Sequence, residues 1–225
     1  MRWNDHIKSK NLAVHTRYFN QGGKRLPGVT TIISGLGWGT ERLMKWAAAQ
    51  AHNGQDPEKV RDEAAAIGTA AHMLIECWLR GETPALDNLT HNQLHFAQQA
   101  YTNFLEWAET EKSSLRFHSC EQRVISETYQ YGGTADLLLE IDGRFCLADF
   151  KTSAGVYESH KIQVAAYALA WNEMYPDLPI EQVWVFRLGR ERGEFQAYCL
   201  PQHEWQHAQS LFLLLRQVYN YQGLL

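Results

Sequence analysis

Two alternating runs, Tyr131–Ile141 and Arg144–Lys151, meet at Asp142-Gly143, and no other stretch of the chain restricts its fold so tightly. Asp-Gly between β-patterned segments is among the strongest short signals for a two-residue hairpin turn. A turn that short fixes the register of the strands it joins. Asp136, six residues before Asp142, must then face Asp149, six residues after Gly143. Lys151, two residues beyond Asp149, projects from the same side of its strand. Opposed side chains sit about 4.5–5.5 Å apart at Cβ, so two carboxylates in this arrangement repel one another. A divalent cation between them reverses the sign of that interaction, and oxygen donors suit Mg2+ or Mn2+.

The remaining hairpin residues say where these charges lie. Ala135, Leu137, Leu139, Ile141, Cys146, Ala148 and Phe150 are expected on one face. Leu138, Phe145 and Leu147 are expected on the other, which then gives way to Asp136, Asp149 and Lys151. A strand pair apolar on both faces belongs to a sheet covered on both sides. Charges at one end of it are costly to bury unpaired, so the acids and the lysine read as a metal-dependent phosphodiesterase site.

The other elements follow from periodicity and punctuation. Residues 1–26 read as an irregular or short-strand lead-in. Thr30 or Thr31 offers an N-cap for a first helix. Helical patterning then covers Glu41–His52 and Pro57–Arg80, the latter opening on Pro57 and stopping at Gly81. A third helix is expected over Thr90–Lys112, strands over 115–126 and 131–151, and a helix over 156–173. Two strands over 181–199 turn around Arg190–Gly193, and Pro201 opens a last helix to about Tyr219. This order implies an α/β fold, a central mixed sheet flanked by helices on both faces. A single domain over 1–225 is expected, with 1–112 mainly helical and 113–225 carrying the sheet, the hairpin and its flanking helices.

Composition removes several classes. Four scattered cysteines, Cys77, Cys120, Cys146 and Cys199, form no CxxC element, which leaves zinc ribbons and locally encoded iron–sulfur clusters without support. They suit a reducing cytoplasm. No apolar run follows Met1-Arg2, and no segment approaches a membrane span. A formal net charge of −4 argues against a generic basic nucleic-acid binder. It is compatible with an enzyme whose basic residues are confined to a groove.

Asp136 followed thirteen positions later by Asp149-Phe150-Lys151 resembles the PD-(D/E)XK nuclease pattern, and other segments resemble its RecB-type exonuclease branch. Gly68-Thr69-Ala70-Ala71-His72, with Glu76, is similar to the helix motif that supplies a metal-binding histidine there. Gly132-Gly133-Thr134-Ala135-Asp136 resembles the GxxD strand, and Gln163 with Tyr167 the Qxxx[Y] motif. Leu26–Ile33 resembles the opening motif of mitochondrial and phage members, with Gly28 in place of the usual serine. The iron–sulfur cysteines of some CRISPR-associated relatives are absent. The resemblance implies a PD-(D/E)XK restriction-endonuclease-like fold and one or two Mg2+ or Mn2+ ions on Asp136, Asp149, the Phe150 carbonyl and His72. It implies Lys151 and Gln163 as further catalytic groups, and 5′-phosphate and 3′-hydroxyl products.

Glu121 and Glu76 are candidates for the metal or for the groups around it, and Glu76 lies one turn from His72. Tyr167, Thr30 and Thr31 are candidate DNA contacts. Trp38, Trp46, Trp78, Trp171, Trp184 and Trp205 read mainly as core, with one or two near the N-terminal helices able to stack on an unpaired base. Arg187, Arg190 and Arg192 read as a solvated hairpin tip, with phosphate contact the alternative. His203-Glu204-Trp205-Gln206-His207 matches the HExxH zinc signature, but no third acidic or histidine ligand follows it. The implied function is an exonuclease for single-stranded DNA or DNA ends, in repair or recombination. An endonuclease of the same fold and a catalytically inactive nucleic-acid-binding module stay open.

Overall fold

Asp142 and Gly143 both take positive φ, 52° and 74°, as a type I′ turn requires. The strands they join pair in the expected register from Ile141↔Arg144 to Leu137↔Ala148. The computed structural model describes residues 16–35, 37 and 39–222. Most of the lead-in, the N-terminal stretch and Trp38 therefore lie outside the described residues.

A short pair, β1 (Tyr18–Phe19) and β2 (Arg25–Leu26), precedes four helices: α1 (Val29–Ser34), α2 (Thr40–His52), α3 (Pro57–Arg80) and α4 (His91–Thr110). Then come β3 (Leu115–Ser126), β4 (Tyr131–Ile141), β5 (Arg144–Lys151), α5 (Glu158–Met174), β6 (Gln182–Leu188), β7 (Phe195–Cys199) and α6 (Gln202–Gln222). The boundaries follow local chemistry. Asp56 caps α3 by accepting from Glu58 N, Pro57 stands at its start, and Gly81 ends it in the left-handed region. Thr90 and Gln93 close a capping box on α4. α1 departs from expectation: its N-cap is Gly28, so Thr30 and Thr31 lie inside the helix. The cause is tertiary, because Gly132 N donates to Pro27 O at 3.1 Å and Gly28 bridges Gly132, fixing the chain before the threonines.

The five main strands lie in sequence order, β3-β4-β5-β6-β7. All neighbours are antiparallel except β5 and β6, which run parallel with α5 as the crossover. The sheet is therefore mixed and covered on both faces. α1, α5 and α6 bury Leu138, Phe145, Leu147, Val183 and Val185 on one side. α3 and α4 bury Leu137, Leu139, Cys146, Ala148, Phe150 and Phe186 on the other. Asp149 and Lys151 stand at the carboxyl end of β5, beside its parallel neighbour, where open α/β sheets place their ligands.

Besides a register shift in β3 between Phe117 and Ser119, simple alternation fails within β4. Tyr131 and Ala135 belong to the α5 side, whereas Leu137, Leu139 and Ile141 belong to the α3 side. Ala135 therefore does not share the face of Leu137. The slip falls at Asp136, and opposite it Glu121 takes φ 52°. Cys120↔Leu137 and Gln122↔Ala135 pair on either side of this position without a change of register, so both strands flip together. Such a break re-aims a side chain without ending the sheet.

The far end of α5 is clamped to the β3–β4 turn by Glu173, which accepts from Ser126 Oγ at 2.6 Å, Thr128 N at 2.8 Å and Thr128 Oγ1 at 2.9 Å. Burial would raise the Glu173 carboxyl, but these donors bring its pKa below the ordinary value. A depressed acid contributes stability above its unfolded pKa and loses it as pH falls through the folded one. Glu173→Gln is expected to lower unfolding stability by about 1–2 kcal/mol at neutral pH. The gap should close in acid, where both chains carry a neutral group; urea unfolding midpoints at the two pH values check this.

Candidate active site

At the slipped position the Asp136 carboxylate turns into the sheet end and accepts from Phe150 N at 2.7 Å. His72 arrives from α3 with Nδ1 3.5 Å from the same Asp136 oxygen, its ring edge-on to Phe150 at 5.6 Å. Asp149, buried on β5, is met by the Lys151 ammonium through Oδ2 and by Gln163 Nε2 of α5 at 3.2 Å through Oδ1. Asp136, Asp149 and Lys151 thus converge where the layers on the two faces of the sheet meet.

The electrostatics of this cluster are those of a site short of positive charge. Burial pushes the Asp136 carboxyl well above its usual range and the neighbouring Asp149 pushes it further, against Lys151 and the Phe150 N–H. Burial alone would lower the Lys151 pKa, yet Asp149 and Asp136 hold it above the ordinary lysine value, so it stays charged. His72 is pushed down by burial and by Lys151, which keeps a ring nitrogen lone pair available. A buried carboxylate, Asp149, and a mostly buried one, Asp136, beside a neutral imidazole form a donor set that fits a hard divalent cation. Among the described residues, however, no three His, Cys, Asp or Glu side chains already form a metal-binding group. The expected trio of Asp136, Asp149 and His72 is not drawn closed, because Phe150 N–H and Lys151 engage the two acids.

The α5 residues form a support for Asp149. Both amide hydrogens of Gln163 are used, one on Asp149 and one on the Tyr167 hydroxyl at 2.8 Å. Tyr167 is only 4% exposed, so the expected DNA contact gives way to packing. Its ring lies against Gly133, where a Cβ would overlap it, while Tyr18 covers the other face of the strand at Gly132. Tyr18 also hydrogen-bonds Thr134 at 3.0 Å. The two glycines are needed because an aromatic ring presses on each side of the backbone. Gly133→Ala is expected to cost about 1–3 kcal/mol through overpacking and to reduce activity by displacing Tyr167, Gln163 and then Asp149; a thermal melt and a turnover assay on one preparation check both effects.

Gly68 answers to the same logic, since a Cβ there would overlap Thr152 Oγ1 just after Lys151. Glu76 is engaged by Arg80 at 2.8 Å. Glu121 stands opposite Asp136 by register and close enough to influence His72. Thr30 and Thr31 are exposed on α1. The sequence places His160 on the face of Gln163 and Tyr167, one turn before Gln163, without assigning it a role. Its Nδ1 accepts from Tyr157 N at 3.2 Å, and burial with nearby Lys151 pushes its pKa down to about 4. In the HExxH segment Glu204 is committed to Lys161 at 2.6 Å and to Tyr198, while His203 and His207 are exposed. The glutamate is not free to activate water.

Compared with known families, residues 42–220 match the PD-(D/E)XK nuclease superfamily. The chain belongs to that superfamily. In this PD-(D/E)XK chain the matched span contains His72, Asp136, Asp149, Phe150, Lys151, Gln163 and Tyr167. Members of the superfamily are nucleases that typically use divalent metal ions such as Mg2+, and the implied substrate is nucleic acid. No curated protein matches the chain significantly. Among solved structures, one described as "Crystal structure of SSO0001" aligns at 14% identity and a TM-score of 0.30 over 53% of this chain and 59% of that one. No helix among the described residues is long and apolar enough to cross a membrane.

Proposed function

We propose that this PD-(D/E)XK chain is a metal-dependent deoxyribonuclease, an exonuclease of the RecB-type branch acting on single-stranded DNA or DNA ends. The observation that carries the reading is the convergence of Asp136, Asp149 and Lys151 at the carboxyl end of β5. Asp136, Asp149, the Phe150 carbonyl and His72 would hold one or two Mg2+ or Mn2+ ions. Bound there, a divalent ion lowers the pKa of its water and polarises a phosphoryl oxygen.

The chain's own residues do the rest. Lys151, kept charged by the two acids, donates to the phosphate as negative charge builds on it. Gln163, braced by Tyr167, holds Asp149 in one orientation. His72, neutral, stays available as a nitrogen donor beside Asp136. His160, neutral with Nδ1 already accepting, offers its remaining N–H as a donor.

End-labelled linear DNA and covalently closed circles, single- and double-stranded, incubated with Mg2+, Mn2+ or EDTA, test the proposal. The expected result is stepwise loss of label from linear DNA in either metal, nothing in EDTA, and resistance of the circles. Cleaved circles would replace the exonuclease with an endonuclease. DNA left whole in both metals would end the nuclease reading.

A further inference from the structure

Immediately beyond Lys151 the chain forms the floor of a groove of about 610 Å3, running between α2, α3, the β5–α5 loop and the β6–β7 hairpin. Arg61, Arg187 and Arg190 line it together with Trp46 and Tyr157. The lining also carries Glu191 and Glu194, so guanidinium groups outnumber carboxylates there by one, in a chain whose net charge is −4. Arg61 is held by Asp62 at 3.0 Å and Arg187 lies 4.0 Å from Glu194, exposed or long pairings that a phosphate can replace. Arg190 differs: its Nε is buried and has no hydrogen-bond partner among the described residues. A buried donor left in that state calls for an acceptor from outside the chain.

Tyr157 is held in place as well. Arg42 of α2 pairs with Glu158 at 3.2 Å and lies over the Tyr157 ring at 5.2 Å. Trp46 stands one turn further along α2, a helix that buries none of its residues and leaves Leu43 and Met44 exposed. Guanidinium groups that track a backbone and aromatic faces for bases are the two components of a site for unpaired nucleic acid. The volume falls in the range of a small-ligand pocket, which suits one or two extended nucleotides and not the cross-section of a duplex. Thr152 and Ser153 line the same groove, so a strand lying in it runs directly up to Lys151.

We infer that the groove between α2 and the β6–β7 hairpin binds an unpaired nucleic-acid strand, its phosphates on Arg190, Arg61 and Arg187 and its bases against Trp46 and Tyr157, and delivers it to the Asp136–Asp149–Lys151 centre. The inference rests on the nuclease reading for its purpose but not for its measurement, which needs no catalysis. The experiment is fluorescence anisotropy in EDTA with a fluorescein-labelled oligothymidylate of about ten nucleotides, with an unlabelled blunt duplex as competitor and salt varied. Trp46→Ala is expected to weaken binding about tenfold, the loss of one stacked base. Arg190→Ala and Arg61→Ala should each weaken it and lower the slope of log K against log salt by about 0.7. Arg144→Ala, at the opposite end of β5, should change nothing. Because Trp46 and Arg61 stand on partly or fully exposed helix faces, the outcome does not hang on the folding of the Arg190 variant. Binding within twofold of wild type in both the Trp46 and Arg61 variants overturns the groove, as does a duplex that competes as well as the single strand. A chain that binds the strand in this pattern in EDTA yet cuts nothing in Mn2+ removes the nuclease reading and keeps the groove.

Discussion

Asp136→Asn is expected to melt at or above the wild-type temperature in EDTA and to cut no DNA in Mg2+ or Mn2+. The first half follows from the electrostatics of the buried cluster. Asp136 ionises only with difficulty because it is buried and faces Asp149. The amide keeps an oxygen for the Phe150 N–H, now accepted at 2.7 Å, and removes the repulsion. The sign with pH is fixed. An acid whose folded pKa is raised contributes its full stability below the unfolded value and loses it as pH rises through the folded one. The gain in the asparagine chain should therefore be present at neutral pH and vanish in acid, where the wild-type carboxyl is protonated too. The second half follows from loss of an oxygen donor for the cation, which should reduce turnover by at least about 10²–10³-fold. Lys151→Met should behave oppositely in stability. It leaves Asp149 buried without its ammonium partner, a loss of about 3 kcal/mol or some 6–12 °C in EDTA, and added Mg2+ should restore more of the melting temperature than it adds to wild type. Differential scanning calorimetry in EDTA and Mg2+, run beside a cleavage assay, reads all of this. An Asp136→Asn chain that melts several degrees lower and still digests DNA would show a structural carboxylate and no site.

The contrast between those variants also marks how far the sequence could be read. The facing of Asp136 and Asp149 was legible because Asp142-Gly143 is a local signal and a two-residue turn transmits register without loss. What lay across the sheet was not. Periodicity put Ala135 with Leu137, since alternation assumes an unbroken strand, and nothing in the composition around Glu121 announces a positive φ there. That flip is stabilised by pairing with β4 on either side of it, which is tertiary information. Gln163 reached the site only through its resemblance to a family motif. Its amide hydrogens go to Asp149 and Tyr167, so it braces the acid. Thr30 and Thr31 had the right chemistry for a cap, but a hydrogen bond between Pro27 and Gly132, 105 residues apart in sequence, starts the helix sooner. Arg187 and Arg190 looked like a solvated hairpin tip because a sequence shows a turn but not what packs against it.

What packs against that hairpin is Asn103, and its removal is the second large effect expected. Asn103 sits on α4 with 1% of its surface exposed, in a row otherwise made of Ala97, Ala100, Phe104 and Ala108. A buried asparagine must satisfy its donors and its acceptor within the fold. Nδ2 donates to Gly189 O at 2.9 Å and Glu191 O at 2.8 Å, and Oδ1 accepts from Gly193 N at 3.0 Å and Gln99 Nε2 at 3.2 Å. One side chain thus satisfies three backbone groups of the 189–193 turn, which has few backbone bonds of its own: Gly189 N to Glu194 O and Glu194 N to Glu191 O. Asn103→Ala leaves Gly189 O and Gly193 N without a partner, while Glu191 O keeps Glu194 N, a loss of about 2–4 kcal/mol at roughly 1–3 kcal/mol per unsatisfied buried group after partial rehydration. Asn103→Asp should be nearly as severe, because it cannot donate to the two carbonyls and brings a charge into the core. Since the same turn carries Arg190, the alanine chain should also exchange the amides of Gly189 to Glu194 faster, ahead of global unfolding. Hydrogen exchange at those amides, read against denaturant unfolding of the whole chain, separates the two effects. If exchange in the turn is unchanged while the global midpoint falls, Asn103 serves α4 packing alone and does not hold the hairpin.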